Sequence, residues 1–217
     1  MKILAVEFSS EHRGVAVLDD QADPMVMGQI CEQGGRRALD LVERALAAAQ
    51  IEREEIGAIV VGLGPGSYTG IRGAIALAQG WELGRNVKLL GISSVECMAG
   101  GLADLGEPMT AHLIIDAQRN EFYLAKYDIT PRACLEVEAL RLVPAEHVQR
   151  LCEAGEQVLG PEAAARFPGA RNLFPQATML GRMALERSHY VTGDKLEPIY
   201  LRQTDYKKAP PRRIISC

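Results

Sequence analysis

The sequence predicts an α/β protein in which helices pack on a mixed β-sheet, and three observations support this fold class. Over the first half, short apolar runs of strand length alternate with segments of helical spacing in the order β-β-β-α-β-α. A glycine-rich turn, Gly62–Gly70, connects a strand directly to a helix. The opening strand pattern then recurs near residue 112, which indicates two tandem domains of similar design.

The elements of the first half follow from hydrophobic spacing and from the residues that interrupt it. Gly34-Gly35 separates a third apolar run from a segment whose apolar residues recur at helical spacing. Strands are expected at Ile3–Phe8, Gly14–Asp19, Met25–Ile30, Ile59–Leu63 and Lys88–Ile92, and helices at Arg36–Gln50 and Tyr68–Leu83.

The second half begins by repeating the first. Ile3-Leu-Ala-Val-Glu7 aligns without a gap on His112-Leu-Ile-Ile-Asp116, so that an acid ends each apolar strand. At the same offset, Ala16-Val17-Leu18 aligns on Ala125-Lys126-Tyr127 in the following strand. This pattern of strand, acid, polar turn and strand predicts a duplicated domain.

The two domains are expected to cover residues 1–103 and 104–217, with a hinge formed by Gly100-Gly101 together with Gly106 and Pro108. Proline at the start and glycine after the end mark one helix of the second domain. Helices are expected there at Pro144–Ala154, Pro161–Arg166 and Thr178–His189, the last being the C-terminal helix. The basic, proline-bearing tail Lys207–Arg213 is expected to be extended.

Composition narrows the class of protein. The chain has 217 residues, of which 47% are apolar, and a formal net charge of −4. This acidic balance argues against unaided binding of nucleic acid, which needs a concentrated basic surface. The start lacks the pattern of a signal peptide, and no apolar run is long enough to cross a bilayer. Five unpaired cysteines fit a reducing cytoplasm, where we expect the protein to reside.

The glycine-rich turn permits two interpretations. Glycines remove the Cβ atoms that block close backbone approach, and Ser67 or Thr69 is placed to cap the following helix. Such a helix start attracts anions, which favours a phosphate or partner site. The turn nevertheless lacks the Gly-Lys-Ser/Thr ending of a Walker loop, and Ser67 replaces the third Rossmann glycine. A sharp strand-to-helix turn without a ligand explains the same residues.

The helix after the turn is apolar on several sides. Between Gly70 and Trp81 its only polar side chains are Arg72 and Gln79. A helix of this kind must be covered on more than one face. Either it is fully internal, or one face docks against a partner subunit that the glycines allow to approach closely.

The turn and other stretches resemble the TsaB (YeaZ) family over almost the whole chain. The resemblance rests on Gly64-Pro-Gly-Ser-Tyr-Thr-Gly-Ile-Arg72, Lys2-Ile-Leu-Ala-Val, Gly91-Ile-Ser-Ser-Val, Ile115-Asp-Ala-Gln-Arg119 with Glu121 and Tyr123, and Glu197-Pro-Ile-Tyr-Leu-Arg202, in family order. It implies an actin-like (ASKHA) fold of two tandem ribonuclease-H-like domains.

The same resemblance implies a function and partners. Family members are accessory subunits of the complex that adds the threonylcarbamoyl group to adenosine 37 of tRNAs reading codons that start with A. They bind the catalytic paralogue TsaD and also form homodimers. The ATPase TsaE joins the complex, tRNA is bound only through the complex, and no membrane is involved. The implied interface comprises Leu39, Val42, Leu46, Gly73, Leu77, Gly80, Trp81 and Gly84.

The residues fit a subunit without catalytic groups or a metal. TsaD-type proteins hold their metal with two histidines on a helix, whereas Gly35–Glu43 here contains none, and His12, His112, His147 and His189 are scattered. The first strand ends in Glu7-Phe8 instead of the family's aspartate and small residue. No cofactor is expected, although weak ATP or ADP binding stays open at a vestigial site of Glu7, Ser9, Gly64, Gly66, Ser67 and Asp116.

Two other functions would use the same residues. An independent actin-like ATPase or kinase would use Glu7, Asp116 and the glycine turn, because such enzymes place magnesium-linked carboxylates at the ends of core strands. A peptidase would use Ser67, but the sequence supplies no ordered histidine and aspartate to activate it.

Overall fold

A computed structural model describes residues 1–22, 25–34 and 37–201, and its first sheet contains the strands expected of the first half. They lie in the order β3-β2-β1-β4-β5. β2 is antiparallel to both neighbours, whereas β4 is parallel to β1 and β5, so the sheet is mixed as predicted. The strands are β1 (Lys2–Glu7), β2 (His12–Asp19), β3 (Val26–Gln33), β4 (Ile56–Gly62) and β5 (Lys88–Ile92).

Three α-helices lie in the described residues of this half. α1 (Ala38–Ala49) connects β3 to β4, and α2 (Tyr68–Arg85) connects β4 to β5. Both helices were predicted, although the expected start of the first at Arg36 lies outside the described residues. α3 (Ser94–Ala103) follows β5 and was not predicted.

The second sheet has the order β10-β9-β6-β7-β8. The expected helices at Pro144–Ala154 and Pro161–Arg166 are present within a few residues of the predicted bounds. The strands are β6 (Met109–Asp116), β7 (Glu121–Thr130), β8 (Ala133–Pro144), β9 (Val158–Gly160) and β10 (Arg171–Asn172), and the helices are α4 (Ala145–Glu153), α5 (Ala163–Arg166) and α6 (Ala177–Leu185).

The two sheets share one topology. In each, the first strand lies at the centre, pairs antiparallel with the second and parallel with the fourth, and the third and fifth strands form the edges. Helices occupy the same places along the chain in both halves. The predicted duplication is therefore confirmed at the level of topology.

The gapless alignment of the two first strands is wrong by one residue. Leu4 and Val6 pack in the core beneath α1 and α2, whereas Leu113 and Ile115, their partners in the alignment, pack beneath α3. The connection from β1 to β2 is also one residue longer than that from β6 to β7, because Glu7 pairs with Gly14 but Asp116 pairs with Phe122. A one-residue slip moves every side chain to the opposite face of a strand.

Each half places its last helix on the other half's sheet. Residues of α3 enter the core of the second sheet, and residues of α6 enter the core of the first. Of the expected hinge, Gly100 and Gly101 are wrong, because both lie inside α3, whereas Gly106 and Pro108 lie in the connection between α3 and β6. A Cβ atom on Gly100 would lie 3.0 Å from Met179 Sδ, so this glycine lets α3 and α6 approach closely.

The exposure of α2 decides between the two interpretations of that helix. Ile71, Ala74 and Ala78 are buried against the sheet. Leu83 on the outer side is 88% exposed. The helix is therefore covered on one side and open on the other, and the fully internal alternative is wrong.

The last described segment returns to the first sheet. Val191 N donates to Leu89 O at 2.9 Å, and Ile199 N donates to Leu63 O at 2.9 Å. The division of the chain at residue 103 stays a prediction. The expected extended tail lies outside the described residues. No helix in the described part of the chain has the length and hydrophobicity of a membrane-spanning segment.

Candidate functional site

A cleft of about 1080 Å³ opens between the two halves, where the glycine turn faces the end of β6. The first half contributes Ser9, Arg13, Gly66, Ser67, Tyr68 and Arg72 to its walls, and the second contributes Asp116, Gln118, Tyr123 and Glu162. Tyr200 from the returning segment also lines the cleft. The cleft lies at the carboxyl ends of the central strands, which is where open α/β sheets commonly bind ligands.

The glycine turn is shaped by close contact with the loop after β1. Gly66 has a φ of 145°, and a Cβ atom there would overlap the carbonyl oxygen of Ser9. Ser67 N donates to that same oxygen at 2.7 Å. Ser67 Oγ accepts from Gly70 N at 3.3 Å and caps α2, as one of the two predicted cap residues. The glycines thus serve packing of the turn itself, and the Ser67 hydroxyl is engaged in the helix cap.

Glu7 lies behind the turn and is fully buried. Its carboxylate accepts from Ser9 N at 2.7 Å and from Ser94 Oγ at 2.9 Å. Ser94 Oγ in turn accepts from Gly64 N at 3.2 Å. Burial raises the pKa of Glu7, although these hydrogen bonds oppose the shift. Glu7 therefore connects the end of β1 to the start of α3 and to the turn, and it does not line the cleft.

Asp116 is placed differently from Glu7, as the one-residue slip requires. Its side chain lines the cleft, accepts from Gln118 N at 2.7 Å and lies 3.6 Å from Arg166 Nη1 of α5. The following residues Gln118, Arg119 and Asn120 all have positive φ, near 60°. This left-handed turn is uncommon for residues other than glycine and directs the β6–β7 connection along the cleft.

Comparison with known proteins agrees with this architecture. A model of the TsaD family, described as tRNA N6-adenosine threonylcarbamoyltransferase, matches residues 33–178. The tRNA threonylcarbamoyladenosine biosynthesis protein TsaB of Escherichia coli (strain K12) is 28% identical over 97% of this chain and 99% of its own. TsaB of Haemophilus influenzae is 24% identical over 98% of both. The solved structure of YeaZ from Pseudomonas aeruginosa has a TM-score of 0.76 at 25% identity, covering 92% of this chain and 99% of that chain.

The chain belongs to the TsaB (YeaZ) family. Its fold is accordingly the actin-like fold of two domains, each built on one of the five-stranded sheets.

The residues assigned to a vestigial nucleotide site separate into two groups. Ser9, Gly66, Ser67 and Asp116 line the same cleft. Glu7 and Gly64 lie behind the turn, joined through Ser94. Nucleotide binding stays a prediction of the family resemblance, and only the four residues that line the cleft remain candidates for it.

The residues assigned to the TsaB-family interface differ in their exposure. Val42 and Leu46 are 1% and 4% exposed and belong to the core beneath α1, so the structure corrects their placement on a docking surface. Leu77 and Trp81 are partly buried and pack against that core. Leu39 is 57% exposed, and a Cβ atom on Gly73, Gly80 or Gly84 would meet nothing within 4 Å.

The histidines and the four cysteines in the described part of the chain are absent from the cleft walls. His12 stacks on Phe174 with ring centroids 3.7 Å apart, and His112 is buried in β6. Burial raises the pKa of the Cys97 thiol, which lies between α3 and the first sheet. Within residues 1–22, 25–34 and 37–201, no three histidine, cysteine, aspartate or glutamate side chains are grouped as a metal site.

Several cleft residues were not singled out from the sequence. Arg13, Glu162 and the aromatic residues Tyr68, Tyr123 and Tyr200 line its walls. The sequence did contain a signal for two of them, because Tyr123 and Tyr200 belong to the stretches on which the family resemblance rests. That these residues come together at the cleft could not be predicted, because they are far apart in the sequence.

Proposed function

We propose that this chain is a non-catalytic subunit in the biosynthesis of threonylcarbamoyladenosine in tRNA. In this proposal it binds and stabilises a TsaD-type catalytic paralogue, is joined by a TsaE-type ATPase, and meets tRNA through the complex. Its relatives are named tRNA threonylcarbamoyladenosine biosynthesis proteins, which supports the pathway. One observation supports the role of a partner-binding subunit, namely the open outer face of α2.

The α2 surface is defined by Gly73, Ala76, Gly80, Leu83 and Gly84. These residues recur at intervals of three or four and therefore form one stripe along the helix. Space above all three glycines is open, and Leu83 is 88% exposed. Small residues let a second helix approach closely, and an exposed apolar stripe is typical of an interaction surface. Leu39 of α1 adds a further exposed apolar side chain on the same domain.

The position of Glu7 supports a non-catalytic role. A carboxylate at the end of the central strand would have to face the cleft to bind magnesium with a nucleotide. Here it is fully buried and accepts hydrogen bonds from Ser9 N and Ser94 Oγ. Its function is to hold the turn and α3 together.

Co-purification with a TsaD-type paralogue tests this proposal. We expect Gly80→Arg and Leu83→Glu each to abolish co-purification, because both place a charged side chain on the α2 surface without touching the core. Leu77→Glu is unsuitable, since Leu77 packs against the core. Leu135→Glu on β8, where the leucine is 63% exposed, is the matched control and should retain the paralogue. Retention of the paralogue by both α2 variants would refute the assignment.

An independent actin-like ATPase or kinase is the second candidate. The cleft favours it, because Asp116 and the glycine turn face one another across the space that such enzymes fill with nucleotide. Titration of the full chain with ATP and magnesium decides between the two. Turnover by the chain alone that is lost in Asp116→Asn would establish the enzyme and overturn the non-catalytic proposal. Weak binding of ATP or ADP without turnover would leave that proposal standing.

A further inference from the structure

We propose that the N-terminal end of α2 is the anchor of the partner interface, where a carboxylate side chain of the TsaD-type paralogue pairs with Arg72. The anchor, here called the tyrosine–arginine cluster, consists of Tyr68, Arg72 and Tyr200. This inference rests on the proposed function and deepens it, because it names the residues that hold the partner and the chemical group that they recognise.

The cluster combines two stacked aromatic rings with one guanidinium. The ring centroids of Tyr68 and Tyr200 lie 5.5 Å apart at an interplanar angle of 27°. The guanidinium carbon of Arg72 lies 5.1 Å from the centroid of the Tyr68 ring, and Arg72 Nη1 donates to the Tyr68 hydroxyl at 2.9 Å. Tyr68 is 58% and Tyr200 43% exposed. Tyrosine and arginine are enriched among the few residues that supply most of the binding energy of protein interfaces.

The cluster continues the α2 surface in one row along the helix. Tyr68 and Arg72 precede Ala76 at intervals of four residues. The row then continues through Gly80 and Leu83, and all of these positions are exposed. A partner that packs along the open glycine side of α2 therefore meets Arg72 and Tyr68 at the end of the same row. The continuity favours a protein partner over RNA, because the rest of the row offers small or apolar residues and no positive charge for phosphates.

Arg72 is the charged residue of α2 that has no carboxylate partner among the residues that the structure describes. Glu82 accepts from Gly193 N at 2.9 and 3.1 Å. Arg85 Nη1 donates to Glu54 Oε1 at 2.6 Å. Arg72 instead donates to a tyrosine hydroxyl. Because a guanidinium fits a carboxylate through two parallel hydrogen bonds, an acidic side chain on the partner would complete this site.

A second copy of this chain does not supply that acid from its own α2. The helix Tyr68–Arg85 contains one acidic residue, Glu82. Both carboxylate oxygens of Glu82 already accept from Gly193 N. Pairing Glu82 with Arg72 of another copy would break this contact, which holds the returning segment against α2. The carboxylate is therefore assigned to the paralogue.

The returning segment fixes Tyr200 beside α2. Ile199 N donates to Leu63 O at 2.9 Å, directly before Tyr200 in the chain. Gln79 Nε2 of α2 donates to Gly193 O at 2.7 Å. A ring that is held in this way loses little conformational entropy on binding. Docking of a partner would also exclude water around Arg72, and a charge pair is stronger where water is excluded.

The affinity of the full chain for the TsaD-type paralogue, measured by isothermal titration calorimetry, tests the anchor. We expect Arg72→Gln to weaken binding at least about tenfold, because it leaves the partner's carboxylate without its charge partner. Arg72→Glu should weaken binding further, because it adds repulsion between like charges. Tyr200→Ala should also weaken binding about tenfold, whereas Tyr200→Phe should stay within about threefold of the parent because it keeps the ring. An affinity of Arg72→Glu equal to or above that of Arg72→Gln would overturn the carboxylate assignment.

Salt dependence separates an ion pair from a merely structural role of the arginine. The affinity of the parent should fall as the salt concentration rises, and Arg72→Gln should flatten this dependence. Arg141→Gln on β8 is the matched control, because Arg141 is also exposed and pairs with Glu138 in the second domain. It should leave both the affinity and its salt dependence unchanged. A salt dependence that is unchanged in Arg72→Gln would overturn the ion pair.

Photocrosslinking gives a measurement that does not depend on loss of binding. The photoreactive residue 4-benzoylphenylalanine at Tyr200 should crosslink to the paralogue, whereas at Leu135 on β8 it should not. Crosslinks from Tyr200 that are confined to this chain would overturn the inference.

Two further measurements test other occupants of the cluster. Fluorescence anisotropy detects binding of an RNA hairpin with a single-stranded loop, and sedimentation equilibrium detects self-association of the chain. Loss of either in Arg72→Gln, with unchanged affinity for the paralogue, would overturn the inference.

Gly80→Arg separates this inference from the proposed function. If Gly80→Arg abolishes co-purification whereas Arg72→Gln and Tyr200→Ala bind the paralogue like the parent, the anchor is refuted and the proposed function stands. If the parent itself fails to co-purify with the paralogue, the proposed function is refuted and the anchor with it.

Discussion

Replacement of Ser94 by alanine tests whether the buried carboxyl behind the glycine turn holds the first domain together. Ser94 is fully buried, and its hydroxyl donates to Glu7 Oε2 at 2.9 Å and accepts from Gly64 N at 3.2 Å. The alanine variant leaves one buried acceptor and one buried donor without this partner. A buried group left unsatisfied costs about 1–3 kcal/mol. Because Glu7 keeps its bond from Ser9 N, we expect a total loss of roughly 2–4 kcal/mol.

Urea unfolding followed by circular dichroism measures this loss. The midpoint should fall without a change in the dependence on urea, because the surface exposed on unfolding is the same. For a chain of this size the loss corresponds to a decrease in melting temperature of roughly 4–15 °C. Ser188→Ala at an exposed position is the control and should change stability by less than about 0.5 kcal/mol. A Ser94→Ala variant as stable as that control would refute a structural role for the Glu7 cluster.

Three other predictions concern buried groups and glycines. Burial raises the pKa of Glu7 above its value in the unfolded chain. The stability that this shift contributes is therefore fully present below about pH 4.3 and is lost as the pH rises through the pKa of the folded state. Urea titrations at several pH values should show this loss in the parent and not in Glu7→Gln. Burial lowers the pKa of His112, so stability should fall as the pH drops below about 6.5, by at most about 1.4 kcal/mol per pH unit; His112→Gln should flatten this profile, whereas His189→Gln at an exposed position should not. Gly66→Ala should lower the melting temperature, because its Cβ atom would overlap Ser9 O at a positive φ. Gly101→Ala, inside α3 with open space around it, should instead be neutral or stabilise by up to about 1 kcal/mol, and a loss equal to that of Gly66→Ala would contradict the steric argument.

Elements with a strong local pattern were predictable from the sequence. β1, β2 and β4 are continuous apolar runs that are almost entirely buried, and α1 has an apolar stripe that matches its buried face. The start of α2 follows from the glycine turn and its cap residue. β8 was missed although Leu135-Glu-Val-Glu-Ala139 alternates between apolar and acidic residues; Leu135 and Val137 remain exposed, so this alternation does not mark a core-facing side. β9 and β10 have only three and two residues and offer no pattern to detect. α3 was missed because two glycines near its end indicate a break locally, whereas its contact with α6 stabilises the helix.

Part of the candidate site was also predictable, because it follows from local sequence patterns. The glycine turn, Ser67 as a helix cap, and Asp116 at a strand end follow from local sequence, and all of them border the cleft. The equivalence of Glu7 and Asp116 did not hold, because alignment of two strands cannot detect a one-residue slip that reverses their faces. The assignment of Val42 and Leu46 to a docking surface failed because helical spacing identifies an apolar face without stating what covers it.

By itself, the sequence determined the fold class, the duplication and the family, since these depend on periodicities and motifs that are continuous along the chain. The tertiary structure decided which acid lines the cleft, which face of α2 is open, and that Tyr68 and Tyr200 stack on each other in the cleft wall. Each of these depends on contact between segments far apart in the chain. Such contacts are set by the register of the strands and the crossing of α3 and α6, which local sequence patterns do not encode.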